Sequence, residues 1–241
     1  RVHLTQAGEA LAQTARAISA ERESFEQHMS ALKGHQTGRL RLSMVSTAKY
    51  FVPRQVGSFC ALYPDVEVSL EVLNRDGVVA RLRDNMDDLY IMSMPPSDMA
   101  LQDQVFRPNP LVVIAAKSHP ASRAASLNLS TLKSDKFILR EKGSGTRMAV
   151  DRHFKKNRFT PTVRMALGSN EAIKEAVAGG LGVSVISSHA LGAKPQSQGL
   201  AVLDVRGFPL HSQWHLVCPK AKRLSPLALA FQAHLMQDAS A

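Results

Sequence analysis

The feature that most restricts the fold of this chain is a change of apolar period that recurs along it. Short stretches of period two give way to helical spacing and back again. RLRLSMV places Leu40, Leu42 and Met44 on one strand face, with Arg39, Arg41 and Ser43 on the other. Pro53 then suits the first turn of a helix carrying Val56, Phe59, Cys60 and Tyr63, closed by Pro64. VEVSLEVL alternates with Val66, Val68, Leu70 and Val72 inward, a short helix follows over 78–84, and DDLYIMS reads as a strand. After Pro108 and Pro110, LVVIAA is an unbroken apolar run of the kind buried on both faces. KFIL, the loop EKGSGTR, a helix over 148–156 and the strand TVRMAL come next. A helix over 170–178 turns through Gly180 and Gly182 into VSVIS, and a strand ending in WHLVCP precedes a last helix over 227–236. Its residues Leu227, Ala230, Phe231 and Leu235 share a face.

Strands alternating with helices predict βαβ units and mostly parallel sheets. The proline breaks divide them into two α/β lobes joined by two crossovers, one of residues 38–110 with 219–241 and one of residues 111–218. A cleft between the lobes is the expected consequence.

Ahead of the alternation, apolar residues recur every seventh position: Leu4, Leu11, Ile18, Phe25 and Leu32. A seven-residue repeat holds one stripe of a helix against a partner helix over several turns, so these five residues are expected to dimerise the chain. The helix is predicted over 5–33, with Thr5 as N-cap, Gly34 as stop and residues 34–38 (GHQTG) as a linker to the lobes, so the pairing unit covers 1–37. The chain begins without Met and directly in this helix, so we expect a segment to precede it.

The net charge of +10 narrows the partners. Residues 1–33 carry four bases and four acids, so the whole excess belongs to the lobes, and a basic body favours nucleic acid or small anionic metabolites. No apolar run is long enough to span a membrane, so no membrane partner is expected, and the sparse cysteines suit the cytoplasm. Cys60 and Cys218 lie far apart among apolar neighbours, which suits a reducing compartment and buried structural thiols better than a redox pair. His211 and His215 flank a strand but lack a cluster of further ligands, so no metal is expected, and no cofactor. No HExxH, Cys-x-x-Cys, P-loop or G-x-S-x-G is present, and Asp87 and Asp88 read as a turn into a strand, so a binding protein is favoured over an enzyme.

In open α/β sheets, ligands bind beyond the carboxyl ends of strands. The residues there form a coherent set. Ser46, Thr47 and Lys49 follow the first strand, Ser93 follows DDLYIM, and Arg140 leads into Ser144, Gly145, Thr146 and Arg147 after KFIL. Ser169 and Asn170 follow TVRMAL at a helix start. Hydroxyls, helix N-termini and guanidinium groups are the chemistry of anion capture, although each also serves as an ordinary cap or surface charge.

Several of these segments carry a family resemblance. LTQAGEAL (4–11) resembles the segment entering the linker helix of LysR-type transcriptional regulators, and STAKYFVP (46–53), NMDDLYIMSMPP (85–96), LVVIAAKSHP (111–120), REKGSGTR (140–147) and SNEAIKEAVAGGLGVSVIS (169–187) resemble their effector-binding part. STAKYF with DDLYIM is similar to the CbbR branch, whose members control RuBisCO and other carbon-fixation operons. The resemblance implies two Rossmann-like lobes of periplasmic-binding-protein (type 2) architecture behind a linker helix, and homodimers and homotetramers. It implies an effector between the lobes, with ribulose 1,5-bisphosphate, phosphoglycolate, phosphoenolpyruvate or NADPH as candidates. Carried over by position, the effector contacts are Ser46, Thr47, Lys49, Ser93, Arg140, Ser144, Gly145, Thr146, Arg147 and Asn170. Promoter DNA would be read only by an N-terminal helix-turn-helix head absent from this sequence, and RNA polymerase is a further implied partner. Glu141 and Lys142, and the SMPP stretch, depart from the pattern and bear on ligand choice. A solute receptor of the same lobe architecture, a cytosolic α/β enzyme on a phosphorylated substrate, and thiol sensing are the alternatives.

Overall fold

Helix α1 (Gln6–Leu32) opens the computed structural model, which describes residues 4–32 and 36–238. The Thr5 hydroxyl accepts the Gly8 amide at 3.1 Å, the N-cap its position suggested. Lys33 and Gly34, the expected helix end, lie outside the described residues. The seventh-residue stripe stays uncovered within the single chain: Leu11 is 70% exposed, Ile18 66% and Phe25 63%. The opposite side of α1 is tied to the first lobe by polar contacts. Glu23 receives both terminal nitrogens of Arg41 at 2.7 and 3.0 Å, and Gln27 Nε2 donates to the Arg39 carbonyl at 3.1 Å.

The first sheet follows. β1 (Gly38–Val45) lies between β2 (Val66–Leu73) and β3 (Leu89–Met92), parallel to both. Helix α2 (Val52–Leu62), with Pro53 in its first turn, connects β1 to β2, and α3 (Arg75–Arg83) connects β2 to β3. α3 begins three residues earlier than the apolar spacing indicated, because the Asn74 side chain caps it by accepting the Gly77 amide at 2.9 Å. Val72 is 42% exposed rather than inward: β2 is an edge strand and its outer end is uncovered. β4 (Leu101–Pro108) completes the lobe's forward path at the other edge.

The second lobe holds β5 (Leu111–Ala116), β6 (Lys136–Arg140), α4 (Gly145–Lys156), β7 (Thr162–Leu167), α5 (Asn170–Ala178), β8 (Ser184–Ser187) and β9 (Leu200–Leu203). β6 and β7 are parallel, and an isolated bridge between Phe137 and Val183 joins this pair to the run into β8. β5 is antiparallel to both β8 and β9, so the expectation of mostly parallel sheets fails here. Helices flank the β6–β8 connections, as a parallel layer requires, whereas β8 and β9 reach β5 from its opposite end. Gly182 enters β8 at φ +153°, and an added β-carbon there would run into the Lys136 carbonyl.

β10 (Gln213–Pro219) corrects the expected lobe boundary. The proline breaks group it with residues 111–218, but it pairs antiparallel with β3 and β4, giving the first sheet the order β2-β1-β3-β10-β4. The cause is Trp214, fully buried in the first lobe's core with its ring 5.5 Å from Phe51. The second crossover therefore runs before residue 213. Helix α6 (Pro226–Asp238) returns on the first lobe, where Leu227, Phe231 and Leu235 are buried and Phe231 meets Phe59 of α2 edge-on at 5.1 Å. Both cysteines are free; Cys218 is buried, while Cys60 is only half-buried. Among the described residues no helix is long and apolar enough to cross a membrane.

Candidate effector cleft

The strand ends of both lobes meet at a single cavity. β1 delivers Ser46 and Thr47 on a 3-10 turn (Ser46–Tyr50), and β3 delivers Ser93. From the second lobe, β6 ends in Arg140, and Ser144, Gly145 and Thr146 form the N-terminus of α4. Ser144 caps that helix by accepting the Arg147 amide at 3.5 Å, which starts α4 at Gly145 rather than Met148. These seven expected contacts share the cavity with Asn74 and Arg75, which the sequence reading missed. Both follow β2 directly, so the same strand-end rule would have found them had the start of α3 been read from the Asn74 cap.

Arg140 is the central group. Its side chain is 2% exposed, and a buried guanidinium needs a counter-charge and hydrogen bonds. Glu141 supplies the charge, accepting from Nε at 2.8 Å and Nη2 at 3.0 Å. Nη1 donates to Asn170 Oδ1 at 3.2 Å, and Nη2 reaches across to the Ser46 hydroxyl of the first lobe at 3.0 Å. Asn170 thus positions Arg140 rather than lining the cavity, and the Glu141 that departs from the family pattern is its charge partner. On the opposing wall Arg75, its side chain 13% exposed, is aimed by donating Nε to the Met94 carbonyl at 2.7 Å. Two guanidinium groups, one per lobe, and five hydroxyl side chains border the cavity; among the described residues no carboxylate lines it, although Asp76 lies 3.6 Å from the Arg75 guanidinium and Glu141 pairs with Arg140.

Two expected contacts lie elsewhere. Arg147 turns away, its Nε shared between the Asp151 carboxylate oxygens at 2.9 Å and its Nη1 donating to the Arg140 carbonyl at 2.9 Å. An aspartate one helical turn on outcompetes the cleft for this side chain. Lys49 is also withdrawn: its Nζ lies 2.7 Å from Glu171, at the start of α5, and Tyr50 donates to the same carboxylate at 2.6 Å. The trio latches the lobes outside the cavity. Burial alone would raise the Glu171 carboxyl, but hydrogen bonds from Lys49, Tyr50, its own backbone and Ser169 outweigh it and hold the carboxyl at about 2. Burial, reinforced by the bond to Glu171, pushes the Tyr50 phenol well up.

The lobes are shut on this cavity. It has a volume of about 10 Å³, room for one water. The Asp76 amide donates across the lobes to the Gly143 carbonyl at 3.2 Å. Gly145 passes so close to Ser93 that an added β-carbon would sit 2.8 Å from its hydroxyl and 3.2 Å from its carbonyl. Asp87 and Asp88 have structural partners: Asp87 forms a two-pronged bond with Arg81, and Asp88 accepts the Arg41 amide. No group of three or more potential metal ligands occurs among the described residues.

Comparison with known proteins places this geometry. The RuBisCO operon transcriptional regulator of Acidithiobacillus ferrooxidans is 44% identical over 98% of this chain and 76% of its own length. The HTH-type transcriptional activator CmpR of Synechocystis is 42% identical over 98% of this chain and 77% of its own. The regulatory domain of Synechocystis CcmR, solved in complex with 2-PG, superposes with a TM-score of 0.82 at 44% identity, covering 84% of this chain and 98% of that one. Residues 33–240 match the family described as the LysR substrate binding domain, and the chain belongs to that family.

Proposed function

We propose that this chain is the effector-sensing and oligomerising part of a LysR-type regulator of carbon-fixation genes, and that its effector is a small phosphorylated anion held between the lobes. The observation that carries the reading is the convergence of Arg75 and Arg140, from opposite lobes, on a hydroxyl-lined cavity without a carboxylate. Guanidinium forks, hydroxyls and the N-termini of α3 and α4 together suit a phosphate ester. Among the candidates, 2-phosphoglycolate is favoured: it carries an anionic group at each end, matching one arginine per lobe, and the CcmR domain is described with 2-PG bound.

The mechanism follows from closure. A cavity of this size admits no metabolite, so entry requires the lobes to part and the Arg140–Ser46 bond to yield to the ligand. An effector that fits one interlobe angle better than another shifts the population toward it. β1 links that angle to α1. Its carboxyl end holds Ser46 in the cleft, while Arg39 and Arg41 near its amino end grip Gln27 and Glu23 of the linker helix. Paired through Leu4, Leu11, Ile18, Phe25 and Leu32, two such helices would carry the change to a DNA-binding head, and homotetramers and contact with RNA polymerase belong to the same proposal.

A thermal-shift titration with 2-phosphoglycolate, ribulose 1,5-bisphosphate, phosphoenolpyruvate and NADPH, with glycolate as phosphate-free control, tests the reading. A ligand that binds only the folded chain raises Tm with concentration. A rise with 2-phosphoglycolate and none with glycolate is expected; no rise with any phosphorylated compound would overturn the proposal.

A further inference from the structure

Helix α4 borders a second, larger concavity. Gly145 and Thr146 face the shut cavity, whereas Ala149, Arg152, His153 and Lys156, spaced three and four apart on one helix face, line an open groove of about 1030 Å³. The opposite wall is the crossover into β10, including His211 and Ser212. Bases stand on both walls, and no carboxylate lines the groove among the described residues.

Some bases of this surface are neutralised within the chain and others are not. Arg22, Arg39, Arg83 and Arg147 each meet a carboxylate within 3.0 Å. Arg152, Lys156 and His211 meet none among the described residues. The negative end of α4 accounts for Lys156 in its last turn. It does not account for His211, which lies on the other wall and beyond that helix. His153 meets Phe208 edge-on, with ring centroids 4.8 Å apart.

From this juxtaposition we infer that the groove is a second anion site, separate from the effector cleft, for a small ligand bearing two or more phosphate charges. Arg152 and Lys156 grip it from α4, and His211 and the Ser212 hydroxyl meet it from the crossover. A concave site that touches α4 and the strand entering the first lobe favours a small molecule over the extended backbone of a duplex.

Titration calorimetry of inorganic pyrophosphate into the 241-residue chain at low salt tests the inference. The double variant Arg152→Ala/Lys156→Ala should weaken pyrophosphate binding by roughly tenfold or more. Both residues are exposed, so an unchanged Tm is expected to confirm the fold. Lys117→Ala/Arg123→Ala removes the same charge elsewhere on the second lobe and should change affinity by less than about twofold. If both doubles weaken binding equally, general charge is the cause and the site does not exist. If Arg75→Ala alone abolishes all binding, pyrophosphate enters only the effector cleft and the inference fails. Binding lost in the groove double but kept in Arg75→Ala supports it whatever becomes of the effector reading. A loss of duplex DNA affinity in the groove double, with pyrophosphate binding intact, would assign the groove to a nucleic-acid backbone and overturn the small-ligand proposal.

Discussion

The interlobe cleft and the linker helix solve opposite problems with the same chain. In the cleft the charged groups have found partners within the protein: Arg140 is wrapped by Glu141, Asn170 and Ser46, and Arg75 is aimed by Met94. Along α1 the apolar stripe has found none, and Leu11, Ile18 and Phe25 stand mostly in water. The guanidinium groups of the cleft are thus satisfied within one chain, while the apolar stripe of α1 is covered by nothing in it. On the proposed function, a sensor can be finished within one chain, whereas a helix that transmits to a second copy cannot.

Removing the centre of the cleft is the strongest way to break this comparison. Arg140→Ala strips the counter-charge from Glu141 and leaves Asn170 and Ser46 unpaired, which should destabilise the chain by about 3–5 kcal/mol in urea denaturation. The same experiment on Ile18→Glu should show almost no loss, since that side chain packs on nothing in the single chain. Its effect should fall instead on self-association. Sedimentation velocity of Ile18→Glu/Phe25→Glu is expected to show dimer weakened by roughly a hundredfold, because two charges enter an apolar seam. Persistence of the wild-type dimer would mean that another surface pairs the chains.

Closure itself can be probed more gently. Gly145→Ala puts a methyl group against Ser93, so the lobes must part slightly, at a cost of about 1–2 kcal/mol. Small-angle scattering should show a more open chain than wild type; an identical profile would mean that Ser93 absorbs the contact.

The smallest expected effect is on the latch. The Glu171 carboxyl titrates near 2 in the folded chain, below its ordinary value of 4.5. A depressed carboxyl stabilises the fold above the unfolded value and ceases to do so as pH falls through the folded one. The latch should thus hold above pH 4.5 and be lost between there and about 2. Because this carboxylate is 47% exposed, solvent screens the pair, and Glu171→Gln should cost less than about 1 kcal/mol at pH 7. Carboxyl chemical shifts followed through an acid titration check the midpoint.

What was legible in the sequence follows the range of the interactions. The period-two and helical stretches found β1, β2 and β3 of the first lobe, because burial of one face writes itself into local spacing, but not β4, an edge strand whose residues are mostly exposed. The strand-end rule picked out Ser46, Thr47, Ser93, Arg140, Ser144, Gly145 and Thr146, which line one cavity because they follow strands or start a helix at the same end of both lobes. Arg75 was missed because its role depends on the Asn74 cap, a one-residue signal. Arg147 and Lys49 were misplaced because their partners, Asp151 and Glu171, are chosen by side-chain geometry that no spacing encodes. β10 was assigned to the wrong lobe for a related reason: a strand's own pattern shows that it is buried, not which sheet it joins, and Trp214 decides that through contacts far away in sequence.

The central claim is that the cleft, and Arg75 within it, binds a small phosphorylated anion. Titration calorimetry of 2-phosphoglycolate into the wild-type chain and Arg75→Ala tests it most directly. The account predicts saturable binding at one site per chain in the wild type and its loss in Arg75→Ala, with Lys49→Ala, whose side chain lies outside the cavity, binding normally. Equal affinity in wild type and Arg75→Ala would contradict it.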